Sequence, residues 1–232
     1  MTTTITWLGH GALSVETGGR TILMDPFLTG NPLASIAEDA VAADYIIVSH
    51  GHSDHVGDTI SIAKRTGALV IANYELAAWF GSHGVERTHG MNTGGSFKLD
   101  CGTVKLTLAH HGSMLPDGSY GGCANGVLLR TADGNIFHAC DTALFSDMKL
   151  IGDEGLDVAV VPIGDNYTMG PDDAVRAVEF LRPKYVIPGH YNTFPVIAQD
   201  PQEWADAVSA KTFARPLVLK PGESFVLKRD SA

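Results

Sequence analysis

The run His50-Gly51-His52-Ser53-Asp54-His55 places four potential metal ligands within six residues. Imidazole and carboxylate are the donors that suit zinc, iron or manganese. Gly51 and Ser53 are small, so the segment can curl and aim alternate side chains inward. The competing reading is a solvated polar loop. Metal binding is favoured, because the run follows an apolar stretch and precedes a helical one, the context in which such a motif works. Downstream, "LTLAHHGS" offers His110 and His111 after a strand-like segment, and strand alternation lets only one of the two face a site. Asp141 precedes a stretch with helical character, where it can also serve as a helix cap. His190 closes Pro188-Gly189-His190 after a further strand-like run. Asp25 ends an early strand-like run before Pro26 and is placed to orient a ligating imidazole, with an Asp-Pro turn as the alternative. No protein nucleophile presents itself: a G-x-S-x-G elbow is missing, and no cysteine has an identifiable activating partner.

These residues need elements to hold them. Residues 4–7, 12–17 and 21–24 read as short strands, the last two joined by Gly18-Gly19. Residues 45–48 form an apolar run suited to a strand buried on both faces. A helix is predicted over 58–66, a strand over 69–71, and a helix over 74–80 capped by Asn73. Strands follow at 96–99, 104–109, 127–130 and 135–138, the last pair joined at Asp133-Gly134. The remainder reads as helix 144–151, strand 158–161, a helix starting at Pro171 and ended by Pro183, strand 185–188, helix 201–209, and strands 217–219 and 225–227. Strands and helices mixed throughout, with no linker or low-complexity segment, imply one domain spanning 1–232.

Composition narrows the partners. Of 232 residues, 44% are hydrophobic and 18% charged, an ordinary balance for a folded protein able to bury its own core. The net charge of −10 repels a long polyanion, so nucleic acid is not an expected partner. Bound divalent cations would reverse that sign locally and keep a small anionic substrate open. Three sparse cysteines, without CxxC spacing, read as reduced thiols. No signal-peptide pattern opens the chain and no apolar run spans a bilayer, so a cytoplasmic location without membrane attachment is expected.

HxHxDH after a strand resembles the metallo-β-lactamase superfamily signature. The blocks "MDPFLTGNPL", "HGHSDHVGDT", "CDTALFSDMKLIG", "PIGDNYTMGP" and "PGHYNTFPVIAQD" resemble a bacterial and archaeal family of metal-dependent hydrolases related to the ascorbate-6-phosphate lactonase. The resemblance runs to about Asp200. It implies an α/β fold, a four-layer αββα sandwich with metals at one edge. It also implies His111, rather than His110, as the third ligand of one metal beside His50 and His52. Asp54, His55 and His190 would hold a second metal, and Asp141 would bridge. His10, between Gly9 and Gly11, matches the family and lies near the site. Thr168, Met169, Thr193 and Phe194 fall in matching blocks near the metal side, and in the same blocks Asn166, Tyr167, Tyr191 and Asn192 are the candidates to shape a substrate pocket. Cys140 departs from the pattern, where relatives carry Gly, and is expected to point away from the metals. His83, His89 and His138 are expected to be exposed or packed.

The implied cofactors are two divalent cations, zinc first, with manganese or iron as alternatives. Held close together, they would lower the pKa of a shared water, and the resulting bridging hydroxide would attack a carbonyl or phosphorus. Asp54 would orient that nucleophile and take its proton. The resulting expectation is a hydrolase of a small-molecule lactone, ester or phosphoester. A compact phosphodiesterase or nuclease, and a catalytically silent metal-binding protein, are the competing readings. The short span from Asp141 to His190 leaves no room for the inserted domain of nucleic-acid-processing relatives. Lactonase relatives suggest a homo-oligomer.

Overall fold

The computed structural model describes residues 2–228, so the expected domain span of 1–232 runs past both ends of that range. The chain first lays down β1 (Thr3–Gly9), β2 (Ala12–Thr17), β3 (Arg20–Met24), β4 (Tyr45–Ile47), β5 (Leu69–Asn73) and β6 (Thr88–Met91). It continues with β7 (Ser96–Leu99), β8 (Gly102–Leu108), β9 (Asn125–Arg130), β10 (Asn135–His138), β11 (Val158–Pro162), β12 (Tyr185–Gly189) and β13 (Arg215–Pro216), then returns in β14 (Ser224–Leu227). Two seven-stranded sheets result, ordered β14-β1-β2-β3-β4-β5-β6 and β13-β12-β11-β10-β9-β8-β7. Strands β3, β4, β5 and β6 run parallel, as do β10, β11, β12 and β13.

Side-chain alternation explains the layers. Ile46, Val70 and Ala72 face outward into a cluster with Ile62 and Ala63 of α2 (Thr59–Thr66) and Leu76, Ala77 and Phe80 of α3 (Tyr74–Ser82). Ile47 and Ile71, one step along the same strands, face the opposite way and join Ile5, Leu13, Val15 and Ile22 against Leu106, Val127 and Val160 of the other sheet. Beyond that second sheet, α4 (Met148–Gly152), α5 (Pro171–Leu181) and α6 (Pro201–Lys211) contribute Met148, Val178 and Trp204 to the same core. The result is the expected αββα sandwich. Helix ends follow local chemistry: Asn73 accepts from Leu76 N at 2.9 Å, Gly67 closes α2 in the left-handed region, and Pro171 opens α5. Truncating a fully buried anchor such as Phe80 is expected to cost about 3–5 kcal/mol.

Several local expectations change. The helix expected over 144–151 starts only at Met148. The preceding residues are tied to the loop after β8: Ala143 N donates to His110 O at 3.2 Å, and His110 N donates to Thr142 Oγ1 at 3.0 Å. Asp141 therefore caps no helix. The strand expected at 217–219 gives way to β13 one step earlier; Leu217 N still donates to Val186 O at 2.8 Å before the chain crosses to the first sheet. The turn at Asp133-Gly134 occupies residues 131–134. Sequence reading missed β6, whose Thr-His-Gly-Met lacks apolar alternation, and a helical turn, α1 (Ser53–Val56), inside the histidine cluster.

Candidate metal centre

The parallel strands of both sheets end at one edge, and the connections leaving them carry the candidate ligands. His10 follows β1, Asp25 follows β3, and the His50–His55 run follows β4. His111 follows β8, Asp141 follows β10, and His190 follows β12. The 50–55 run bends tightly. A Cβ on Gly51 would come within 2.9 Å of Ser113 O, so only glycine lets the two loops touch.

His50 Nε2 lies 3.0 Å from His52 Nδ1, and His111 Nε2 lies 3.2 Å from the same atom. Imidazole nitrogens about 2.0–2.1 Å from a tetrahedral zinc ion would sit roughly 3.3 Å apart, so the trio has the spacing of a shared cation. Beside it, His55 Nε2 is 3.3 Å from Asp141 Oδ1, His190 Nε2 is 3.1 Å from Asp141 Oδ2, and His111 Nε2 is 3.5 Å from Asp141 Oδ2. Asp54 Oδ2 stands 3.9 Å from His190 Nε2. Ligand atoms of His50, His52 and His111 group within 4.8 Å of one another, as do those of His10, Asp54, His55 and His190, and those of His50, His55 and Asp141. All seven residues expected as ligands are thus brought together, with Asp141 between the two sets.

The hydrogen bonding around them tests whether cations fit. Ser49 Oγ donates to Asp25 Oδ2 at 2.6 Å, so its lone pair is left to accept from His50 Nδ1 at 2.9 Å. His55 Nδ1 donates to Asp25 Oδ2 at 2.8 Å. One buried carboxylate therefore fixes both imidazoles in the tautomer whose Nε2 carries a lone pair toward the cluster. His55 Nε2, Asp141 Oδ1 and His190 Nε2 are buried without a hydrogen-bond partner. Orphaned polar atoms of this kind each cost about 1–3 kcal/mol unless something binds them. Their number, type and convergence fit divalent cations.

His10 is fully buried at φ +57°, edge-on to Phe27 and Phe194. Its Nδ1 is 2.8 Å from Thr193 Oγ1 and its Nε2 is 3.2 Å from Asp54 Oδ2. A carboxylate accepts only, so the arrangement that satisfies every atom has Thr193 donating to Nδ1 and Nε2–H donating to Asp54.

For the side chains alone, burial pushes His10 down to about 4, against the hydrogen bond to Asp54. Burial also holds His50 and His111 below 6.5, the state in which imidazole can ligate. Burial presses on His55 as well, but Asp141 and Asp25 outweigh it and hold the ring well above 6.5. Burial pushes Asp54 and Asp141 upward, yet both stay well below the usual carboxylate range. His10 and His55 outweigh burial at Asp54, and His55 and His190 do so at Asp141.

Of the four residues expected to shape a pocket, Tyr167 alone lines the cleft of about 250 Å³ formed with His52, Asp54, His111, Asp141 and His190. Tyr191 is buried and stacks on Trp7 with ring centroids 5.4 Å apart, and burial pushes its phenol up to about 12. Asn192 turns away to accept from Gln199 N at 2.8 Å. Asn166 is exposed, its backbone N held by Asp165 Oδ1 at 2.7 Å. The connections after β11 and β12 pass through left-handed residues, which removes the alternation that would have pointed these side chains inward. His110 is exposed and edge-on to Phe145, His83 packs on Trp79, and His89 stacks on Phe97. His138 is buried and satisfied on both nitrogens, donating from Nε2 to Gly11 O at 2.9 Å and accepting from Cys140 N at 3.2 Å. Cys140, at φ +54°, turns away from the seven candidate ligands but toward Asp25 and His138, and burial followed by Asp25 pushes its thiol well above 9. Sequence reading missed Ser49, and it set Thr193 only within a block that resembles the family, not against His10; a hydroxyl adjacent to or distant from a ligand carries no signal of its partner until the fold brings it into contact.

The family described as "Beta-lactamase superfamily domain" matches residues 4–190. The metal-dependent hydrolase YtkL of Bacillus subtilis, from the UPF0173 group, is 54% identical over 210 residues, 88% of this chain and 92% of that protein. A relative of the same description from Anoxybacillus flavithermus is 51% identical over 228 residues, 96% of this chain and 99% of its own length. Among solved structures, Igni18, a metallo hydrolase from the hyperthermophilic archaeon Ignicoccus hospitalis, is 35% identical with a TM-score of 0.90, covering 98% of this chain and 99% of that one.

Proposed function

Starting from a chain that belongs to the β-lactamase superfamily, among the UPF0173 metal-dependent hydrolases, we propose that it is a dinuclear enzyme hydrolysing a small-molecule lactone, ester or phosphoester. His50, His52 and His111 would hold one divalent cation, Asp54, His55 and His190 the second, and Asp141 would bridge; zinc suits this set, and manganese or iron can replace it. Bound there, such cations would supply Lewis acidity, lowering the pKa of a water and polarising the bond under attack. The residues do the rest. Asp54 is the one carboxylate of the site with substantial solvent contact, its side chain 26% exposed, and it faces the cleft. It is placed to orient an incoming water and take its proton. Thr193 and His10 hold that carboxylate in one rotamer from behind, so Asp54 need not reorganise during the step. Asp25 and Ser49 keep His50 and His55 in the ligating tautomer. Tyr167, 57% exposed at the mouth, offers a flat apolar surface to the substrate. Among the described residues, no helix is long and apolar enough to cross a membrane, and the three cysteines are free. Both support a cytoplasmic enzyme.

The observation that carries this reading is the set of buried, partnerless atoms His55 Nε2, Asp141 Oδ1 and His190 Nε2 aimed at one another. Elemental analysis of protein purified without added metal is expected to find two transition-metal equivalents per chain. A panel of lactones, carboxylic esters and phosphodiesters would then show turnover that a chelator abolishes. A sample that takes up no transition metal, or turns over nothing when loaded, sinks the proposal.

A further inference from the structure

Resting on that reading of the cleft, we infer that the enzyme selects substrates whose non-reacting part is uncharged, neutral esters and lactones rather than phosphorylated or carboxylate-bearing ones. The cleft lining is His52, Asp54, His111, Asp141, Tyr167 and His190, with no lysine or arginine among them. The absence extends to the connections that carry the site residues and their neighbours; Lys220, exposed in the 217–223 connection after β13, is the cation that this end of the sandwich does hold, and it is not among the cleft residues. Residues 10–11, 25–44, 48–58, 109–124, 139–147, 163–170 and 190–200 contain neither residue type. The same connections carry Glu38, Asp39, Asp58, Asp117, Asp147 and Asp165.

Cations of the protein collect at the opposite turns. Arg20 pairs there with Asp44 and Asp100, Arg182 with Asp153, and Lys184 with Asp157. Proteins grip a carboxylate or phosphate with arginine forks, lysines or helix N-termini. The helix that follows the Tyr167 connection, α5, already has Asp172 and Asp173 in its first turn, which complement its dipole. Cations held by the cluster would act at the reacting centre. The remainder of the substrate meets a phenol ring and a rim without positive side chains, where a second negative charge is repelled rather than bound.

Calorimetry on the metal-loaded full chain tests this with two ligands sharing one chelating head, benzohydroxamate and 4-carboxybenzohydroxamate, whose rigid ring directs the added carboxylate away from the metals. Benzohydroxamate is expected to bind on the order of tenfold more tightly at low salt. That gap should shrink between about 0.01 M and about 1 M salt, as the Debye length contracts from about 30 Å to about 3 Å. Tyr167→Arg should narrow it by favouring the charged ligand. Equal or tighter binding of the carboxylate at low salt overturns the inference, as does failure of both hydroxamates to bind. Hydrolysis of phenyl acetate and 4-acetoxybenzoate, each corrected for its hydroxide rate, separates the two levels. A binding gap without turnover of any ester supports the inference and removes the ester-hydrolase reading.

Discussion

At the end of the sandwich where Gly18-Gly19 and residues 131–134 turn, charges pair in the open and hydroxyls find partners, as Thr3 does with Thr17 and Asp133. At the other end His10, Asp25, Cys140, Asp165, Asn166, His190 and Asn192 all sit at positive φ, and buried ring and carboxylate atoms lack partners. Outside glycine, left-handed backbone costs about 1–2 kcal/mol per residue. Arg182, at φ +51° on the C-cap of α5, is the far end's single non-glycine example among the described residues. Strain and unsatisfied polarity thus concentrate where ligands must converge, and the two apolar clusters beneath hold them in place.

The largest expected break in this contrast comes from Asp141→Ala. The variant should lose at least one metal equivalent per chain and at least about a thousandfold in kcat/KM. Full metal content by elemental analysis would contradict the bridging role.

A pH effect comes next, in metal-free protein. His10 is held at about 4 in the fold against an ordinary 6.5, so between those values the unfolded chain binds more protons. Stability should therefore be complete above pH 6.5 and fall by on the order of 2–3 kcal/mol as pH drops to about 4. His50 and His111, also lowered by burial, act in the same direction. His55 is held above 6.5 and acts oppositely: its contribution is present below pH 6.5 and is lost as pH rises through its folded value. Denaturant melts should place maximum stability near pH 6.5, and His10→Gln should flatten the acid limb. An unchanged acid limb would show that His10 is not held neutral.

Asp25→Ala should weaken metal binding about 10–100-fold by freeing the tautomers of His50 and His55, measured by chelator competition. Unaltered affinity would mean the imidazoles are fixed by packing alone. The smallest effect is expected at the far end. Arg182→Gly relieves left-handed strain and should stabilise by about 0.5 kcal/mol after the entropy of glycine is counted, leaving activity untouched. Destabilisation there would indicate that the Arg182–Asp153 pair outweighs the strain.

The sequence by itself determined the elements and the ligand chemistry. Apolar runs such as 45–48 and 158–161 are strands because both faces are buried. His50 to His55 are ligand types at a spacing that survives any local folding, since residues so near in the chain cannot separate. The place of His111 relative to His110 was harder, because both lie beyond the end of β8, where strict alternation has ceased. Only the tertiary structure decided which distant groups meet: Ser49 with Asp25, Thr193 with His10, His10 with Asp54, and Tyr167 rather than Tyr191 at the cleft. Left-handed residues set those directions one at a time, and their angles come from packing between two sheets, not from any periodicity in the chain.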